Sequence, residues 1–151
     1  MYQALVFAAI LSSAMLVGLM TTLLSVMRAM WRQQTDHAAA RSLQDFLRHA
    51  ATNRVLSTLT ILPIACAIAV AFLGGPTTAK YVCALSGGGV FLVGFFLWTA
   101  VFNLPIYKTV SQWDLTSAPE DTRSIIGRFH RVNIVRLIAA LATSLLFLLA
   151  T

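Results

Sequence analysis

Apolar positions fall into four long runs in this chain, separated by two polar stretches and one short turn. The runs cover approximately residues 4–27, 55–73, 79–101 and 133–150, and each lies near the ~20 residues that carry a helix across a hydrocarbon core. The pattern predicts an all-α fold: an integral membrane bundle of four transmembrane helices in a single domain. Arg28 and then Arg32 close the first run, and Gly74-Gly75-Pro76 closes the second, a breaker cluster that predicts a tight turn. Pro63 predicts a kink within the second span. Pro105, at the foot of the third, predicts a stop or kink there.

The polar stretches carry a second periodicity. From Asp36 to about Ala51, Leu43, Phe46, Leu47 and Ala50 recur at helical spacing, while Arg41, Gln44, Asp45 and Arg48 take the other face. This predicts an amphipathic helix over 36–51, lying in the membrane interface or packed on the bundle. Asp36 is its expected N-cap, and Arg41 with Asp45 has the i, i+4 spacing of an ion pair. Further on, Ser117 and Glu120 are spaced as a capping box, predicting a helix that starts there and runs through Gly127 and Arg128 into the last span. Ala14, Gly18 and Thr22 in the first span, and Ala84 with Gly88 in the third, form stripes of small residues that predict close helix approach. Gly87-Gly88-Gly89 has the same reading, with room for a flat ligand as the alternative.

Composition supports the membrane assignment. Hydrophobic residues make up 58% and charged residues 11%, where a soluble domain carries roughly 25% charged residues. The net charge of +6 does not require nucleic acid, because basic residues flank spans by the positive-inside rule and no nucleic-acid motif accompanies them. Every basic residue except Lys80 lies between the first and second spans, after the third, or in the first turn of the fourth. That side is expected to be cytoplasmic, with both termini extracytoplasmic in the inner (cytoplasmic) membrane of a bacterium. The first run lacks a basic n-region and is too long for a signal-peptide core, so it is read as a span and not a cleaved leader.

Candidate chemistry concentrates at the cytoplasmic mouth. Phe129, Asn133 and Arg136 are spaced four and three apart and share a helix face. Arg136 falls inside the apolar run and either snorkels to the interface or joins Asn133 and Asn103, at the same depth, in a polar mouth between the third and fourth spans. Trp31, Trp98, Tyr107 and Trp113 crowd this side as an aromatic belt would, with Trp98 deep enough to line a pocket. No cofactor or metal is expected. His37, His49 and His130 lie outside the spans, no acid lies inside one, and Cys66 and Cys83 form no CxxC pair.

From the third span onward the sequence resembles a known family. Asn103-Leu104-Pro105-Ile106, Trp113, Pro119-Glu120-Asp121 and Arg128-Phe129-x-x-x-Asn133-x-x-Arg136 resemble small four-span membrane proteins that include the anthrone oxygenases of aromatic polyketide pathways. Two positions depart from the family pattern: Tyr107 stands where a second asparagine is usual, and Phe129 where tryptophan is. The resemblance implies a cofactor-independent oxygenation of an electron-rich phenol such as an anthrone. Arg136 would stabilise the developing anion, Asn103 and Asn133 would donate hydrogen bonds, and His130 would be the base. Trp98, Trp113, Phe129 and Tyr107 would bind the ring system. Two other classes compete with this reading. One is a non-catalytic subunit of a homo-oligomer or larger membrane complex, binding through its span faces and the 36–51 helix. The other is a lipid- or quinone-binding module using the same mouth.

Overall fold

The computed structural model describes residues 1–117 and 119–151. Four of its helices are long and apolar enough to cross a bilayer: α1 (Tyr2–Gln33), α3 (Arg54–Leu73), α4 (Thr78–Ser111) and α5 (Thr122–Leu149). A fifth, α2 (Asp36–Thr52), connects α1 to α3. The chain is an all-α integral membrane protein. Around the bundle the order is α1, α3, α4, α5 and back to α1, each long helix packing on its two neighbours. Large apolar side chains such as Phe7, Leu11, Phe72, Ile138 and Leu149 point outward, giving the lipid-facing surface such a bundle needs.

Three of these helices outlast their apolar runs. At about 1.5 Å per residue, α4 is about 50 Å long against a hydrocarbon core of ~30 Å. Its last turns, like those of α1 and the first of α5, form a head at the basic end of the bundle. Of the stop or kink expected at Pro105, the stop does not occur, because α4 runs on to Ser111. Two π-helical stretches, Leu92–Leu97 and Thr99–Asn103, precede the proline. In the wider turn the Leu104 N–H bonds to Thr99 O, which spreads the backbone where the proline ring would otherwise meet the preceding carbonyls. Helix then resumes at Leu104–Ser111 with Pro105 in its first turn, where a missing N–H costs little.

The basic-end head is held by polar contacts. The Arg123 guanidinium pairs with the Asp36 carboxylate and donates to the carbonyls of Trp31 and Gln34. The Trp31 indole donates to Ser42 Oγ at 3.0 Å. Gln44 Nε2 donates to Val110 O at 2.8 Å, a second bond to a carbonyl in the last turn of α4 that also accepts from the Trp113 N–H. On α2, Ala39, Ala40, Leu43 and Leu47 are buried while Arg41, Asp45 and Arg48 are exposed.

Three local expectations are corrected. The α2 N-cap is Thr35, whose hydroxyl accepts from the Ala38 N–H, so Asp36 is the first helical residue. Asp36 pairs with Arg123, the ion pair among the described residues, and Arg41 does not pair with Asp45. The Ser117–Glu120 capping box does not form. Ser117 and Glu120 are in bends and turns, Ala118 lies outside the described residues, and α5 begins at Thr122, whose hydroxyl donates to Pro119 O.

The small-residue stripes divide. Ala14, Gly18 and Thr22 are exposed and Gly18 has open space beside it, so this stripe faces outward instead of packing. Gly88 does mediate close approach: a Cβ there would run into Ala67 on α3. Gly87 packs against Phe147 and Gly94 against Ala139, both on α5. At the opposite end of the bundle, Gly74 takes φ +73°, a left-handed conformation that terminates α3 and that glycine adopts without strain.

Candidate functional site

Arg136 is 7% exposed on the face of α5 turned toward α4. Its Nη1 donates to Asn133 Oδ1 at 2.8 Å and lies 3.5 Å from the Tyr107 hydroxyl. Its guanidinium carbon sits 4.4 Å from the centroid of the Phe95 ring, a cation–π contact of ~2 kcal/mol when desolvated. Asn133 Oδ1 also lies 3.4 Å from Asn103 Nδ2, and Asn133 Nδ2 donates to Phe129 O at 2.8 Å. Asn103 and Asn133 are fully buried. Arg136, Asn133, Asn103 and Tyr107 therefore form one polar cluster between α4 and α5.

The cluster is incomplete in hydrogen-bond terms. Arg136 Nε and Asn103 Oδ1 are buried without a partner. The five acids, Asp36, Asp45, Asp114, Glu120 and Asp121, all lie in α2 or in the connection before α5. The partners of the guanidinium are thus neutral. A cation in this position retains most of its desolvation cost, and the cluster is electrostatically suited to an anion.

Arg136 also reaches a cavity of about 350 Å³, within the ~300–1,000 Å³ typical of small-molecule sites. Its walls are Leu56, Ser57, Thr60 and Ile61 of α3 and Phe96, Thr99, Ala100, Leu104 and Tyr107 of α4, with Ala50 and Ala51 of α2 across one end. The gap has a structural origin. The Thr78–Phe91 half of α4 packs on both α3 and α5, with Gly88 against α3, while the π-helical stretches pack on α5 and Leu104–Ser111 packs on α2. Helices α3 and α4 therefore separate toward the basic end, and Ile61, Phe96 and Leu104 line the opening while also being exposed on the outer surface.

The remaining sequence candidates lie elsewhere. His130 is buried against Trp31 and Phe129, with ring centroids 5.5 and 5.9 Å away. Neither of its ring nitrogens has a partner, and it does not line the cavity. Phe129 is buried between Trp31, Phe46 and Tyr107 and forms part of the floor beneath Asn133. Trp98 lies against Phe102 and donates its indole N–H to Val132 O at 3.0 Å. Trp113 packs on the basic-end core. Neither tryptophan lines the cavity. Phe95, Thr99, Ser57 and Thr60 were not among the candidates; the Phe91, Phe95, Trp98, Phe102 recurrence at helical spacing is the signal that marks the Phe95 face. Among the described residues no three His, Cys, Asp or Glu side chains come together as a metal site requires. Cys66 and Cys83 are free thiols.

A small four-span membrane protein with a buried arginine–asparagine cluster beside a lipid-side cavity is the class these features define. Residues 46–146 match the anthrone oxygenase family, and the chain belongs to that family. The match includes α3, α4 and the arginine–asparagine cluster. No curated protein and no solved structure matches the chain.

Proposed function

We propose that this chain is a cofactor-independent oxygenase of anthrone-type phenols, acting in the cytoplasmic half of a bacterial inner membrane with both termini outside. The observation that carries the reading is Arg136: a buried guanidinium with neutral partners and an unpartnered Nε, on the wall of a cavity of about 350 Å³. Such a site favours a ligand that becomes anionic in the cavity. An anthrone does so when its methylene loses a proton, because the charge moves onto the ring oxygen. The edge of the Arg136 guanidinium that carries Nε and Nη2, opposite the Nη1 group engaged with Asn133, would hold that oxygen, and Asn103 and Asn133 would fix the guanidinium. The proton would leave through the Tyr107 hydroxyl, the protic group beside Arg136 that also borders the basic end. The carbanion combines with dioxygen, which is apolar and concentrated in the bilayer. A C–O bond and one proton give the hydroperoxide, and loss of water leaves the carbonyl. The net change is CH₂ plus O₂ to C=O plus H₂O, four electrons passing from carbon to oxygen.

The distribution of basic residues supports the orientation, with Lys80 alone on the far side. The test is oxygen uptake by protein purified in mild detergent with anthrone. One dioxygen should be consumed per anthraquinone formed, and Arg136→Ala should abolish uptake above the uncatalysed rate. Uptake that survives Arg136→Ala would overturn the site. Absence of uptake together with a stoichiometric co-purifying chain would replace the enzyme by a subunit of a larger complex.

A further inference from the structure

A second cavity, of about 650 Å³, adjoins the first at the basic end. The two share Ala51, Leu104 and Tyr107 as a common wall, so Tyr107 stands between the lipid-side chamber and an outer vestibule roofed by α2. Their chemistry differs. The inner chamber is apolar apart from the hydroxyls and its buried cation. The vestibule is lined by Arg48 and Gln44 of α2 and by Lys108 and Ser111 of α4, with Asp45 as its one acid. Arg48 and Lys108 are on opposite walls and both are exposed. Among the described residues neither is ion-paired: Asp36 is taken by Arg123, and Asp45 bonds to no side chain.

We propose that the vestibule is an acid-binding subsite, and that the preferred ligand is an aromatic amphiphile with a phenolic ring system in the inner chamber and a carboxylate extending past Tyr107 toward Arg48 and Lys108. This rests on the anthrone reading for the inner end only; the vestibule follows from its own residues. The arrangement places a cation at each end of a passage with an apolar middle. A neutral polycycle satisfies the inner chamber and leaves the outer pair in water. A carboxylated one uses both without burying its acid, which would be costly in the apolar section. The flanking position of Leu104, half-exposed at the lipid-facing opening and shared by both cavities, lets such a ligand enter sideways from the bilayer with its acid kept at the aqueous end.

The test compares anthrone with an anthrone carboxylic acid, binding being read by quenching of the native tryptophans and turnover by oxygen uptake, in nanodiscs of zwitterionic lipid. The acid should bind about fivefold more tightly than anthrone at low salt, as expected for two exposed charge contacts, and the advantage should shrink as salt is raised. In the Arg48→Gln, Lys108→Gln double variant the two affinities should converge. Asp45→Asn should widen the difference. Equal affinities in the starting protein, or a preference that survives the double variant, would overturn the subsite. So would a preference that vanishes when anionic lipid is added, which would assign the vestibule to a lipid headgroup. Tighter binding of the acid with no oxygen uptake would uphold the subsite and overturn the oxygenase reading, so the two failures are distinct.

Discussion

Arg136 Nη1 donates to Asn133 Oδ1 at 2.8 Å, one turn earlier on the same helix, and this amide oxygen also faces the Asn103 Nδ2 group on the neighbouring helix at 3.4 Å. The pairing holds the guanidinium without neutralising it. A carboxylate at either asparagine position would answer the charge and close the site to an external anion. With two amides instead, the arginine is oriented across the α4–α5 interface and its charge remains available to the cavity.

That arrangement implies that Arg136 costs stability. Transfer of an arginine to the centre of a membrane helix is unfavourable by ~2.5–3.5 kcal/mol on insertion scales, and the neutral partners recover part of it. Replacing a buried charge by an apolar residue of similar volume is commonly neutral or stabilising. Arg136→Met is therefore expected to keep or raise the melting temperature in detergent while lowering turnover about 10²–10³-fold, the range seen when one oxyanion-stabilising donor is removed. Melting curves and oxygen uptake on the same preparation check it. A variant that loses both fold and activity would show that the arginine is structural.

Asn133 gives a complementary expectation. Asn133→Asp supplies an internal anion within hydrogen-bond distance of Arg136, so the substrate oxygen must compete with a fixed carboxylate. Affinity for an anthrone should fall at least about tenfold, the equivalent of one charge-assisted hydrogen bond of ~1.5 kcal/mol. Asn133→Ala leaves the cation free, if less well oriented, and should lose less affinity than the aspartate. Tryptophan quenching measures both. The reverse order would mean that orientation, and not free charge, governs binding.

The sequence pattern exposed the cluster because one helix supplies most of it. At about 100° per residue, Phe129, Asn133 and Arg136 project from one side, and Asn103 was recognisable from the motif preceding Pro105. The same geometry turns His130 about 100° away from Phe129 and toward Trp31 on α1, so its nearness in sequence did not bring it to the cavity. Trp98 and Trp113 carry the expected aromatic character, but Trp98 is committed to Val132 O and Trp113 to the basic-end core. The course of α4 was less legible. Pro105 is a breaker by every local rule, and its accommodation depends on π-helical turns that no apolar periodicity reports. The cavity was hidden for a related reason: it arises where α4, along those turns, leaves α3, and Gly88 holds the two together only in the half away from the basic end.

At the basic end, Arg123 and Asp36 test how the head is assembled. Their ion pair is solvent-accessible, and such pairs contribute ~0–1 kcal/mol. Arg123 also donates to the Trp31 and Gln34 carbonyls, which the end of α1 leaves without helical partners. Asp36→Asn should therefore lower stability by less than ~1 kcal/mol, whereas Arg123→Ala should cost about 1–3 kcal/mol by also unpairing those carbonyls. Denaturant or thermal unfolding in detergent would show the ordering; equal losses would reduce the contact to the ion pair alone.

Gly88 supplies the sharpest packing test, because two adjacent glycines on one helix should behave oppositely. A Cβ at Gly88 meets the Ala67 side chain, beyond what a small rotamer change can relieve, while a Cβ at Gly89 has nothing within 4 Å. Overpacked sites commonly lose ~1–3 kcal/mol, and alanine is favoured over glycine in a helix by up to ~1 kcal/mol. Gly88→Ala is thus expected to lower the melting temperature, with Gly89→Ala neutral or raising it. The effect should extend to function, since the Gly88–Ala67 contact fixes where α3 and α4 begin to separate and hence the width of the cavity below it. Gly88→Ala should weaken anthrone binding even at temperatures where the protein remains folded, and Gly89→Ala should not. If both variants lose stability equally, the close approach at Gly88 is not what joins α3 to α4, and the cavity must owe its shape to the π-helical stretches alone.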